Sequence, residues 1–280
     1  GNMQSLMEKA RDVVGKVGEL PPIPAVILKS MSMLNDPSVT VKKIQMQILM
    51  DQALTAFILK VANSALYGLR KEVSTVSYAI NLMGYNTTKS ILMSYLTKNL
   101  FSSKGSKFIQ GILWKHALAT AIFGRKIAES IKKANVEEVF ISSLLHDIGK
   151  GVLFKNKTAD FEEIVEKHIN EERNFLELER EKWQYSHIEV GYLLMKNWRF
   201  SDDIIEPLIY HHNQKEYSGD NIMVPIISLA NKLSHLNEFS FREQKVELEE
   251  LSVLKISADK MELIVEDAKN EIENYLEIVG

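Results

Sequence analysis

The sequence predicts an all-α protein, and three observations carry that prediction. Apolar residues recur three and four positions apart in most windows, which is the repeat of one helix face. Strict alternation over a strand length is hard to find, and the breaks between periodic stretches fall at Pro, Gly, Asn, Asp and Ser, the residues that cap helices and turn chains.

Taken in order, Pro21, Pro22 and Pro24 stiffen the segment ahead of a helix starting at Ala25, and Asn35-Asp36-Pro37 ends it. Asp51 caps the next helix, with Leu54, Phe57, Ile58, Val61 and Ala62 on its buried face and a stop expected near Tyr67-Gly68. Ser102–Ser106, reading SSKGS, is small and polar between two apolar stretches, so a boundary is placed there. Residues 1–104 are then an N-terminal helical subdomain, and residues 105–280 a second helical subdomain with C-terminal amphipathic helices. Ile112, Ala119, Ile122, Phe123 and Ile127 mark the first helix beyond the boundary. An apolar helix from Val139 to Ile148 carries His146 and Asp147 at its end, and Gly149 is expected to let the chain turn directly afterwards. Ser201-Asp202-Asp203 starts a helix that His211 and His212 close, and Tyr217 to Asn221 reads as a loop. From Arg242 the tail holds 5 basic and 11 acidic residues at amphipathic spacing, which predicts helix packed on one side rather than a disordered acidic tail.

With 280 residues and 45% hydrophobic content, the chain can bury one large core or two smaller ones. Cysteine is absent, so a disulfide framework, a thiolate metal site and a nucleophilic cysteine are all excluded, and any metal must be held by imidazole and carboxylate. The polar start, without a hydrophobic signal core, and the lack of a long apolar run predict a cytoplasmic protein with no membrane partner. The net charge of -3 hides an asymmetry, with 12 basic and 6 acidic residues through Lys104 against 22 and 31 beyond it. Such a contrast suits docking of one half on the other, an acidic partner, or plain solvated helix faces. No cluster of Lys and Arg interleaved with aromatics is present, so nucleic acid is not an expected partner. The serine-hydrolase elbow, the P-loop and the H-E-x-x-H zinc motif are also missing.

Histidine placement is the remaining chemical signal. His116 shares a helical face with Ile112, Ala119 and Phe123 and should point inward. His187 lines up with Gly191, Leu194 and Trp198, and Gly191 would let another helix come close. Adjacent helix residues diverge by about 100°, so His146 and Asp147 can grip one ion only near a helix end. Lys150 lies just past them, within reach of an anionic oxygen. Each feature alone has a plainer reading, as a hydrogen-bonded core histidine or as a cation complementing a helix C-terminus. Together, imidazoles and a carboxylate from several helices are what a borderline divalent ion requires, and two such ions could activate water against a phosphoryl group.

Several stretches resemble the HDOD family, the HD-related output domains: LPPIPAVILKSMSMLNDP from Leu20, ILMDQALTAFILKVANSALYG ending at Gly68, VSYAINLMGYNTTKSILMS, WKHALATA around His116, ISSLLHDIGKGVLF around His146, YSHIEVGYLLMKNW around His187 and IIEPLIYHH ending at His212. The resemblance spans roughly residues 15 to 235. It implies an N-terminal helical bundle followed by an HD-like helical core, in a stand-alone, non-catalytic module of bacterial signalling. Similarity of the second half to HD and HD-GYP phosphohydrolases implies that His116, His146, Asp147 and the position of Asn231 form one ligand set. It assigns His187, His211 and His212 to a further ion, with Lys150 on phosphate. If the chain were enzymatic, Asp147 and Lys150 would be the catalytic pair.

Departures from the phosphohydrolase pattern are Asn231 in place of the closing Asp, Asn213 where a Glu follows the histidine doublet, Tyr217-Ser218-Gly219 without a following Tyr-Pro, and apolar Ile112 one turn before His116. The leading expectation is a signal-transduction module that binds a protein partner or nucleotide without turnover and has no resident cofactor. The rival is a phosphohydrolase holding Fe, Mn or Zn and acting on a nucleotide or cyclic dinucleotide. A third is a scaffold whose histidines only stabilise the core.

Overall fold

The computed structural model describes residues 2–68 and 70–280. Among them there are sixteen α-helices and no strand: α1 (Asn2–Val13), α2 (Ala25–Leu34), α3 (Val41–Ile48), α4 (Gln52–Ala62), α5 (Val76–Met83), α6 (Tyr85–Leu100), α7 (Lys107–Ile131), α8 (Val136–Leu145), α9 (Ile148–Asn156), α10 (Thr158–Asn170), α11 (Phe175–Trp183), α12 (His187–Asn197), α13 (Asp202–Tyr210), α14 (Met223–Leu236), α15 (Glu250–Leu254) and α16 (Ala258–Val279). The all-α class is as the sequence predicts. Packing divides the chain into two compact units, one made of the chain up to Pro21 with Thr97–Val265, the other of Pro22–Leu96 with Glu266–Gly280. These differ from a division at residues 104 and 105: the chain crosses between units inside α6 and again inside α16, where no loop marks the change.

In the Pro22–Leu96 unit, short helices are capped by the residues the sequence supplies. Thr40, Asp51 and Thr75 accept hydrogen bonds from the backbone N–H groups of Lys43, Leu54 and Tyr78. Ile44, Ile48, Leu54, Ile58, Val61 and Ala79 are buried. Phe57 packs edge-on against Tyr95 and against Tyr275 from the end of α16. α4 stops at Ala62, short of Tyr67-Gly68, because the Asn63 amide pairs with the backbone of Val73, accepting from its N–H (2.6 Å) and donating to its carbonyl (2.8 Å). The Ala65 N–H then donates to Asn274 Oδ1 (3.1 Å). The ANSALYG segment therefore has a structural role, fastening a helix end to the loop behind it and to the last helix.

The larger unit is organised around α7, whose middle is buried continuously from Trp114 to Ile127 apart from Lys115 and Lys126. α7 packs on α8 and α14, and α9 on α12. α1 lies on α12, and Trp198 just past α12 donates to the Pro21 carbonyl (2.9 Å). The tail from Arg242 is helical only from Glu250, and the stretch between α14 and α15 is irregular.

Gly149 does not turn the chain. The break falls two residues earlier, at Asp147 (φ -115°, ψ 18°), and Gly149 lies in the first turn of α9. A Cβ there would stand 2.0 Å from the His187 carbonyl oxygen and 2.7 Å from the Gly191 N, so α9 and α12 touch backbone to backbone. Gly149→Ala is expected to force these helices apart at a cost of about 3 kcal/mol, lowering the thermal midpoint by on the order of 10 °C. An unchanged melting curve would show that the contact can open freely.

Candidate metal centre

The α8–α9 break puts His146, as the C-cap of α8, and Asp147, as the N-cap residue of α9, in one short non-helical stretch. The helix end that two adjacent ligands require is thereby supplied. Asp147 does not cap with its side chain; its carboxylate turns inward and is met from two sides.

On one side His116 Nε2, from α7, lies 3.5 Å from Asp147 Oδ2, 3.1 Å from His146 Nε2 and 3.0 Å from Asn231 Oδ1. His146 Nε2 lies 3.2 Å from Asn231 Oδ1 and 3.6 Å from Asp147 Oδ2. On the other side Asp147 Oδ1 is 3.2 Å from His187 Nε2 on α12 and 3.1 Å from His211 Nε2 at the end of α13. His212 Nε2 is 3.1 Å from His187 Nε2. All eight residues singled out in the sequence meet here, since Lys150 Nζ lies 3.1 Å from Asp147 Oδ2, one turn along α9. Two donor sets result, His116, His146 and Asp147 on one side and Asp147, His187, His211 and His212 on the other, sharing one carboxylate.

Tautomers are fixed from behind. The Nδ1–H groups of His116, His146 and His211 donate to the carbonyls of Phe239 (2.8 Å), Ser143 (2.5 Å) and Leu208 (2.8 Å), and that of His187 to Glu179 Oε1 (2.5 Å). Each bond leaves Nε2 facing the centre, the dressing a metal-ligating imidazole needs. Burial pushes His146 down to about 3 and lowers His116, so both present lone pairs at neutral pH. Burial also opposes charge on His187, but Glu179 and Asp147 outweigh it and raise that imidazole to about 9. Burial opposes ionisation of Asp147 as well; Lys150 and the surrounding imidazoles overcome it and hold the carboxyl well below its usual range.

Such a centre is over-supplied with acceptors. Asp147 Oδ1 and His211 Nε2 are buried, 3.1 Å apart, and neither makes a hydrogen bond. His187 and Lys150 offer donors to Asp147, but His211 Nε2 faces the same carboxylate as a second acceptor, an arrangement that is costly in a protein interior; a cation between them resolves it, so these residues fit a divalent ion. Charge limits how many: among the described residues Asp147 is the sole carboxylate in these donor sets, Glu179 stands behind His187, and Lys150 already offsets Asp147. Asn231, buried on α14, adds a neutral oxygen where an acid would add a charge.

Three residues that matter were not singled out from the sequence. Glu179 is fully buried and binds both Nδ1 and the backbone N–H of His187; its i,i+4 spacing from Phe175 and Trp183 was the available signal. His168 and His235 line the cavity beside the centre, as does apolar Ile112 one turn before His116. His235 is paired from the irregular stretch after α14, by Gln244, while His168 donates to the nearby Arg173 carbonyl, and neither pairing follows a pattern visible in the sequence.

The HDOD domain model matches residues 20–214, and the chain belongs to this family. A solved HDOD domain protein of unknown function from Geobacter sulfurreducens is 25% identical, with a TM-score of 0.81 over 99% of this chain and 98% of that one. A Shewanella amazonensis protein provisionally described as a phosphohydrolase has a TM-score of 0.74 at 21% identity, covering 95% of this chain and 96% of its own, which shows a shared fold. An uncharacterized Treponema pallidum protein is 26% identical over 209 residues, 73% of this chain and 40% of that protein. The chain spans about two fifths of the length of the curated relatives it matches. No helix among the described residues is long and apolar enough to cross a membrane.

Glu179→Gln keeps shape and removes charge behind His187, so it is expected to weaken Zn or Mn binding by about 10- to 100-fold, as competition with a chromophoric chelator would read; equal affinity would show that Glu179 has no part in holding the ligand. His168 is pushed down to about 4 chiefly by burial. The unfolded chain therefore takes up a proton that the native one refuses as pH falls from about 6.5 towards 4. His168→Gln is expected to reduce the slope of stability against pH in that window by about 1.4 kcal/mol per unit, measured by urea unfolding at several pH values.

Proposed function

We propose that this chain is a signal-transduction module of the HDOD family that works by binding a protein partner or nucleotide, with one divalent ion held by Asp147, His187, His211 and His212, and without turnover. The observation that carries the reading is the pairing of pre-set imidazoles with a charge-poor ligand shell: four Nε2 atoms face the centre while Asn231 contributes a neutral amide at 3.0 Å from His116. One ion satisfies the orphaned Asp147 Oδ1 and His211 Nε2. A second would face His116, His146 and a carboxylate already shared, with too little negative charge to hold a bridging hydroxide.

A bound ion would supply Lewis acidity and neutralise an anionic ligand. The chain's own residues do the rest. Asp147 orients His187 and His211, Lys150 places an ammonium beside the carboxylate at 3.1 Å, and Glu179 holds His187 in register.

The second reading is a metal-dependent phosphohydrolase, favoured by the single carboxylate shared between two donor sets with a lysine beside it. Elemental analysis of protein supplied with Fe, Mn and Zn is expected to give one equivalent, with no release from a phosphodiester or cyclic dinucleotide. Hydrolysis at an enzyme-like rate, abolished by His146→Ala, would establish the second reading instead. Restoring the charge with Asn231→Asp is expected to add a second equivalent or to tighten binding by about tenfold, about 1.4 kcal/mol; unaltered metal content and affinity would remove the amide as the limiting group.

A further inference from the structure

A cavity of about 210 Å³ stands over the histidine cluster. Its floor is the centre itself, with His116, Asp147, His211, His212 and Asn231 exposed to it, and Lys150 beside them. Above the floor the walls change character. Phe175 and Phe241 stack in parallel, 6.2 Å between centroids at 4°, and the Lys150 ammonium rests 4.4 Å over the Phe175 ring. His168, His235 and Gln244 complete the wall with neutral polar groups.

These polar groups have directions to spare. His168 Nδ1–H donates to the Arg173 carbonyl at 2.7 Å, which leaves Nε2 as an acceptor. His235 Nδ1 is 3.5 Å from the Gln244 amide nitrogen, and its ring lies 4.8 Å from that of His116. With Nδ1 accepting, Nε2–H is a donor, the opposite tautomer to the four imidazoles of the centre. Lys232 also lines the cavity, but its ammonium is taken by Glu250 Oε1 and the Glu247 carbonyl, both at 2.9 Å. The upper tier is thus uncharged and mixes hydrogen-bond donors and acceptors beside an aromatic face, while the floor is cationic once an ion is bound.

Size and shape narrow the occupant. The volume equals roughly seven waters and falls below the range of about 300–1,000 Å³ typical of drug-sized ligands. A phosphoryl group meets the floor through its non-bridging oxygens, three in a monoester and two in a diester. A phosphodiester carries an organic group on both sides of its phosphorus, and a cavity of about 210 Å³ has room for only one of them.

We propose that this cavity is a subsite for a small phosphomonoester, in which the terminal phosphoryl group meets the metal and Lys150 while a hydroxyl-bearing organic part, no larger than a pentose, is read by His168, His235 and Gln244 against the Phe175–Phe241 wall. The inference rests on the metal-holding reading above and narrows its ligand from nucleotides in general to monoesters, excluding cyclic dinucleotides. Ligand recognition needs no bond to break.

The test is calorimetric titration of the full chain, its metal content measured first, with orthophosphate, ribose 5-phosphate, AMP and a cyclic dinucleotide. Ribose 5-phosphate is expected to bind more tightly than orthophosphate and at least as tightly as AMP, and the cyclic dinucleotide is expected not to compete. His235→Gln and, separately, Gln244→Ala are expected to weaken ribose 5-phosphate about five- to tenfold, the scale of one hydrogen bond, with orthophosphate affinity and metal content unchanged. Two results overturn the proposal while leaving metal binding intact: ribose 5-phosphate binding no better than orthophosphate to the metal-loaded chain, or a cyclic dinucleotide binding as well as the monoester. Protein that takes up no metal overturns this inference and the metal-holding reading together.

Discussion

Asp147 is a buried carboxylate surrounded by imidazole nitrogens, and the local architecture keeps it there. Its charge survives burial because Lys150 and His187 stand against it, and its position survives because α9 and α12 touch through Gly149 and Gly191 with no side chain between them. Move that contact by the width of a methyl group and His187 leaves the carboxylate. Helix packing and site electrostatics are therefore one constraint, and the break at Asp147 is where they meet.

Behind that carboxylate the imidazoles are oriented by groups of very different origin. Ser143 and Leu208 are three residues upstream of the histidines they hold, so the last turns of α8 and α13 orient His146 and His211 unaided. Phe239 and Glu179 come from distant segments, and they tie His116 and His187 to the stretch after α14 and to α11. The same stretch after α14 brings Phe241 and Gln244 to the cavity wall. A ligand that displaces that stretch would also loosen the carbonyl behind His116, because one segment supplies both.

Lone pairs and charge point in different directions in this protein. The number of donors suits a metal, and the shortage of formal negative charge disfavours a second ion. Asn231 embodies that tension: its oxygen is 3.0 to 3.2 Å from two histidines, a coordinating position without the charge.

The helical class, the Asp51 cap and the set of histidines were legible in the sequence because each depends on local rules: apolar spacing for burial, a side-chain acceptor ahead of α4, and the placement of His116, His146-Asp147, His187 and His211-His212 on successive helices. Family resemblance added the position of Asn231. Tertiary structure alone decided what lay between elements. The break before rather than after Gly149, the early stop of α4 at Asn63, the chain's passage between units within α6 and α16, and the recruitment of Glu179, His168 and His235 all follow from contacts between residues far apart in the chain. Periodicity reports which face of a helix is buried but not what it is buried against. For that reason the candidate donor residues could be read from the sequence, while their tautomers, their shared carboxylate and the shape of the space above them required the fold.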